Sequence, residues 1–145
     1  MLKVSRFIPA RCSGKLARKF PDSMFFGERG LRFLFKGNYP AAARLNNLGL
    51  AYLMSGNYTE AKNILYNATL EFPNELPVLW FNLGLAQLME RELSTARNSF
   101  EIATDLDKGI LALKEYRRAT SKLEDAIKGI EIPPISTWYK VRPYP

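Results

Sequence analysis

The chain has 145 residues, 47% of them hydrophobic and 24% charged, the usage of one ordinary folded domain rather than of a disordered polymer. It contains no histidine and a single cysteine, Cys12, which excludes an internal disulfide and the His/Cys clusters of zinc or iron sites. Its net charge of +7 raises nucleic acid as a partner, so the placement of that charge is the first question along the chain.

Residues 1–20 carry Lys3, Arg6, Arg11, Lys15, Arg18 and Lys19 and no acid, so the remainder of the chain is close to neutral. A phosphate-gripping protein is expected to spread its cations over a folded face; here they sit in one arm. The composition of this arm, basic and acid-free with serine and apolar residues, is that of a mitochondrial transit peptide. An RNA- or anionic-lipid-contacting role for residues 1–20, and a merely solvated terminus, stay open. Ser23 to Lys36 follows with Phe25, Phe26, Phe33 and Phe35, read as a short capping helix.

Next comes the feature that organises the chain. Asn47-Leu-Gly-Leu-Ala-Tyr-Leu-Met54 recurs as Asn82-Leu-Gly-Leu-Ala-Gln-Leu-Met89, 35 residues later. The same offset aligns Ala61 with Ala96, Asn63 with Asn98, Leu65 with Phe100, Ala68 with Ala103 and Thr69 with Thr104. A fixed period of this size is the signature of a repeat architecture. Within each unit two helices are predicted: Leu45, Leu48, Gly49 and Tyr52 fall on one helical face, and Ala61, Leu65 and Ala68 on the next. Gly56-Asn57 supplies the turn between them. Small residues, Gly49 facing Ala61 and Gly84 facing Ala96, are expected to let the helices approach closely. The stretch Leu76 to Met89, interrupted by Asn82 and Gln87, is too short for a membrane span.

Downstream, Leu111, Leu113, Tyr116, Leu123, Ile127 and Ile130 mark a predicted helix over 110–131, which would cap the repeats as stacked units require. Beyond Glu131, Pro133, Pro134, Pro143 and Pro145 prevent helix and favour an extended strap. Its Trp138, Tyr139 and Tyr144 either fold back on the chain's own surface or lie on a neighbouring protein. The carboxylates are scattered: Glu90 with Glu92 and Asp105 with Asp107 are two apart, on different helical faces, and no base or placed nucleophile accompanies them. No phosphate-binding glycine loop follows a strand. The sequons at Asn57 and Asn67 are read as chance. The residues imply no catalysis, no metal, no cofactor and no small-molecule substrate.

The two units resemble tetratricopeptide repeats. The family pattern is matched by Leu45, Leu48-Gly49, Tyr52, Gly56, Tyr58, Ala61, Ala68 and Pro73, then by Trp80, Leu83-Gly84, Ala96, Phe100 and Ala103. The second unit departs at Gln87, at Arg91-Glu92-Leu93 where the turn glycine is lost, and at Asp107-Lys108 where a proline is usual. The Leu-Gly and spaced alanines argue against the RNA-binding pentatricopeptide type of similar period. The resemblance implies an all-α, right-handed helical-hairpin solenoid: repeats at about 42–76 and 77–108 inside a helical domain 23–131, an arm at 1–22 and a strap at 132–145.

It also implies an inner groove for a protein segment, lined by Asn46, Leu50 and Leu53, then Val78, Phe81, Asn82, Leu85 and Leu88. Asn82 matches one asparagine of the carboxylate clamp of chaperone-binding members, whereas Asn46 and Leu50 stand where that clamp has lysine and asparagine. The groove is therefore apolar, suited to a helix or a hydrophobic segment. The expected function is a non-catalytic scaffold that binds other protein subunits, an accessory part of a mitochondrial complex of respiratory-chain or ATP synthase type. A mitochondrial ribosome subunit contacting RNA through its arm, and a cytoplasmic peptide-binding adaptor or chaperone, are the alternatives.

Overall fold

The computed structural model describes residues 39–140, 143 and 144. The basic arm, the phenylalanine-rich segment Ser23 to Lys36 and the contacts expected of residues 1–20 lie outside the described residues. All regular structure among the described residues is helical: α1 (Tyr39–Met54), α2 (Tyr58–Glu71), α3 (Pro77–Met89), α4 (Leu93–Leu106) and α5 (Lys114–Ile127), with short 3-10 turns at Lys108–Ala112 and Ile135–Thr137. Consecutive helices pack on one another from α1 to α4, and α3 also touches α1 and α5.

The turns explain this order. Both α1 and α3 stop where one residue takes a left-handed backbone, Gly56 at φ 87° and Arg91 at φ 63°, 35 residues apart. In each case the next residue reaches back five positions: the Asn57 N–H donates to the Tyr52 carbonyl at 2.9 Å and the Glu92 N–H to the Gln87 carbonyl at 2.8 Å. This is the Schellman arrangement, which satisfies the last carbonyls of a helix and reverses the chain. Loss of the turn glycine in the second unit thus leaves the turn intact. The two turns are also tied to each other, because Lys62 of α2 pairs with Glu92 at 2.6 Å and Glu90 at 3.4 Å, and Thr59 donates to Glu90.

Close approach of the helices rests on Gly49 and Gly84. A Cβ at Gly49 would lie 2.5 Å from Leu65 Cγ, and one at Gly84 would lie 2.6 Å from the Phe100 ring and 3.2 Å from the Ala96 carbonyl oxygen. Leu65 and Phe100 are themselves a 35-residue pair. The opposing residue is therefore one turn beyond the Ala61 that the spacing suggested for Gly49; for Gly84 the expected Ala96 contributes only its backbone. The larger side chain occupies the space that glycine vacates.

The buried stripe of α1 is also rotated from its expected position. Ala42, Ala43, Asn46, Gly49, Leu50 and Leu53 are buried, Leu45 and Tyr52 are half-buried, and Leu48 is 47% exposed. In α3 eleven of thirteen residues are buried, because neighbouring helices cover it on several sides. Gln87, where the family pattern has an aromatic, is buried but satisfied: Ser99 donates to its Oε1 at 2.6 Å.

The predicted helix over 110–131 is shorter. The Asp107 carboxylate accepts the Gly109 N–H at 3.0 Å, holding residues 108–112 in a 3-10 turn, and an extended Leu113 (φ −85°, ψ 143°) separates that turn from α5. At the other end Gly129 turns left-handed (φ 85°) and the Ile130 N–H closes on the Asp125 carbonyl. Leu123 and Ile110 are buried, whereas Leu111, Ile127 and Ile130 are exposed.

Candidate functional site

The C-terminal strap lies on the helices of its own chain. Pro133 and Pro134 cannot continue α5, and Pro134 adopts an extended backbone (φ −52°, ψ 139°) that delivers the chain to the 3-10 turn at Ile135–Thr137. That turn is fixed locally: the Thr137 hydroxyl donates to the Pro134 carbonyl at 2.6 Å, and the Trp138 indole N–H to the Pro133 carbonyl at 3.1 Å. Ile135 is fully buried, and its N–H donates to the Tyr58 hydroxyl at 3.2 Å.

Two tyrosines then anchor the strap. The Tyr139 ring is buried against Phe81, 5.9 Å between centroids, and Phe81 stacks in turn toward Phe100 at 5.2 Å and Tyr116 at 6.4 Å. Such tilted aromatic contacts each add about 0.5–1.5 kcal/mol beyond area burial. The Tyr139 hydroxyl donates to Asn82 Oδ1 at 2.8 Å, and the Asn82 amide donates to Asn46 Oδ1 at 2.8 Å, a buried relay from strap to α3 to α1. Burial, followed by the nearby Glu115 charge, pushes the Tyr139 phenol well above its ordinary range. Tyr116 is raised less, by burial and then by Glu101.

Five residues on, Asn47 holds the backbone of Tyr144 at both groups: its Oδ1 accepts the Tyr144 N–H at 2.8 Å and its amide donates to the Tyr144 carbonyl at 2.7 Å. An asparagine side chain here mimics the edge of a β-ladder. Asn47 and Asn82 open the two copies of the repeated octapeptide, so one duplicated asparagine grips the strap twice. A side chain at Asn82 reads a tyrosine hydroxyl, and its counterpart at Asn47 reads main chain.

All eight residues expected to line the groove are buried. Phe81 and Asn82 meet the strap and Asn46 holds Asn82, while Leu50, Leu53, Val78, Leu85 and Leu88 form one continuous hydrophobic core that also includes Ile135, Tyr139 and Tyr144. Of the three strap aromatics, Tyr139 and Tyr144 are buried on this chain and Trp138 is half-buried. Asn47 and Tyr58 were not among the expected groove residues. The signal for Asn47 was present, since it is the 35-residue counterpart of Asn82; the repeat pattern includes Tyr58, but as a position within the hairpin and not as a contact of the strap.

Among the described residues no three His, Cys, Asp or Glu side chains gather closely enough to hold a metal ion, and no helix is long and apolar enough to cross a membrane. Comparisons of the chain with protein-family models, with curated proteins and with solved structures found no match.

Proposed function

We propose that the chain is a non-catalytic protein–protein interaction scaffold, built on two tetratricopeptide-like hairpins of a right-handed solenoid and serving as an accessory subunit of a larger, mitochondrial assembly of respiratory-chain or ATP synthase type. The observation that carries the reading is the way the face of α1 and α3 holds an extended segment. Main-chain bonds from Asn47 and an aromatic anchor at Asn82 are the means by which helical and strand-like grooves recognise protein segments. With the strap supplying that segment in cis, the helical body is braced by its own terminus, which suits a subunit of fixed shape. The composition of residues 1–22 supports import into mitochondria.

Isolating the endogenous chain under mild conditions and determining the mass and composition of what accompanies it tests the scaffold reading. Stoichiometric companion proteins are expected, and a lone 16.5 kDa monomer would remove it. Localisation is tested separately by fusing residues 1–22 to a fluorescent reporter, where a diffuse cytosolic signal would sink the mitochondrial part.

A further inference from the structure

The docked strap creates a second feature that the scaffold reading does not use. Between α5 and the strap an open pocket of about 400 Å³ is lined by Arg118, Thr137, Trp138 and Lys140. This is within the size range of small-molecule sites. Among the described residues its lining contains two cations and no carboxylate, and neither Arg118 nor Lys140 forms an ion pair there. A third cation is adjacent, because the Lys122 ammonium stands 5.9 Å from the centroid of the Trp138 ring. The indole itself is held by its N–H bond to Pro133, and the Thr137 hydroxyl is committed to Pro134. The charged groups are therefore the ones left to meet a ligand.

We propose that this pocket binds a phosphate monoester of a small planar molecule, a ligand of the nucleotide class. The Arg118 guanidinium is a planar fork suited to two oxygens of one phosphate, and Lys140 is a point charge that can close on a third. A dianion offsets the two lining cations where a single carboxylate leaves one uncompensated. The pocket is larger than a phosphate ion, and the remaining space adjoins an indole, on which a planar ring stacks without sequence-like selectivity.

Of the described lining residues three belong to the strap and one to α5, so the site exists only while the strap is docked. Ligand binding then favours the docked state over any released one, in proportion to its differential affinity for the two. The coupling runs through Tyr139, next in the chain to Trp138, and its bond to Asn82.

The test is titration of the full chain by calorimetry with AMP, inorganic phosphate and adenosine, each at constant ionic strength. AMP is expected to saturate a single site, inorganic phosphate to bind the same site more weakly, and adenosine to give no saturable signal. Phosphate binding as tightly as AMP would keep the anion site and remove the stacked ring from it. Arg118→Ala and Lys140→Ala, both at exposed positions, should each weaken AMP by about tenfold or more, with unchanged circular dichroism. AMP should also raise the thermal midpoint of the native chain and fail to do so in Arg118→Ala. An AMP response that does not saturate, that matches sodium chloride at equal ionic strength, or that survives both substitutions unchanged overturns the proposal.

Discussion

The two 35-residue units share an octapeptide almost letter for letter, yet the same residue has opposite fates in them. Leu48 is 47% exposed and its counterpart Leu83 is 1% exposed. The first unit ends the described stack, and the second lies inside it, with α2 and α4 on α3 and with α1 and α5 also in contact. Repetition of sequence therefore copies backbone geometry but not environment, which is set by the number of neighbours a helix has.

The largest effect that can break this comparison is truncation of the paired leucines. Leu83→Ala should cost about 2–5 kcal/mol, as for other buried leucines that leave a cavity, whereas Leu48→Ala should stay within about 0.5 kcal/mol. Urea unfolding of the two variants measures both. Equal losses would mean that the first unit is as enclosed as the second and that the asymmetry is not a property of the folded chain.

Filling the two glycine contacts comes next. Gly84→Ala and Gly49→Ala each overpack a helix crossing, at roughly 1–3 kcal/mol. The Gly84 variant should be the worse of the two, because its new methyl meets an aromatic ring and a backbone oxygen, whereas at Gly49 the three nearest atoms all belong to the flexible Leu65 side chain. Thermal melts of the pair give the ranking directly; a reversed order would show that Leu65 has less freedom to move than Phe100.

A third contrast lies between the two asparagines. Tyr139→Phe removes the hydroxyl that Asn82 Oδ1 receives in a buried site, which should cost about 1–3 kcal/mol. The half-buried Asn47 can exchange Tyr144 for water, so Asn47→Ala should cost less. The phenol adds a pH signature. Its folded pKa is raised well above the ordinary phenol value of 10.0 by burial, then by Glu115. Its neutral form therefore contributes stability in full below about pH 10, which is lost as pH rises above that. The native chain should lose stability steeply in alkali, and Tyr139→Phe should lose it less steeply over the same range. Parallel alkaline profiles, read by unfolding at several pH values, would remove Tyr139 as the responsible group.

How much of this was legible follows from the physics of each feature. The helices and the 35-residue offset are local properties, written in apolar spacing, and they emerge from the residues alone, whereas the strap expected to be extended after Pro133-Pro134 is interrupted by the 3-10 turn at Ile135–Thr137. Leu48 lies on the predicted stripe of α1 yet is exposed, because periodicity defines a stripe but not which neighbour covers it. The groove residues are buried together, yet what fills the face, this chain's own Tyr139 and Tyr144, depends on contacts some 57 to 97 residues apart in sequence that no local pattern encodes. The 3-10 turn at Lys108–Ala112 depends on one Asp107 carboxylate choosing its own neighbour's N–H over continued helix, a competition decided by small energies.

The smallest expected effect sharpens the comparison best, because it isolates one backbone angle. Gly56 and Arg91 occupy the same position of the same Schellman turn at φ 87° and 63°, but only glycine enters that region without a Cβ penalty. The left-handed conformation costs a non-glycine residue roughly 1–2 kcal/mol, and glycine forfeits about 0.5–1 kcal/mol through its freer unfolded chain. Arg91→Gly should therefore stabilise the chain by about 0.5–1 kcal/mol, a rise of a few degrees in the melting midpoint for a domain of about this size. Arg91 is exposed and forms no ion pair among the described residues, so no lost contact competes with the backbone gain. Gly56→Ala should move the midpoint the other way. If Arg91→Gly lowers the midpoint instead, the arginine side chain has a role in holding the second turn that outweighs its backbone cost, and the two units differ there in kind rather than in strain.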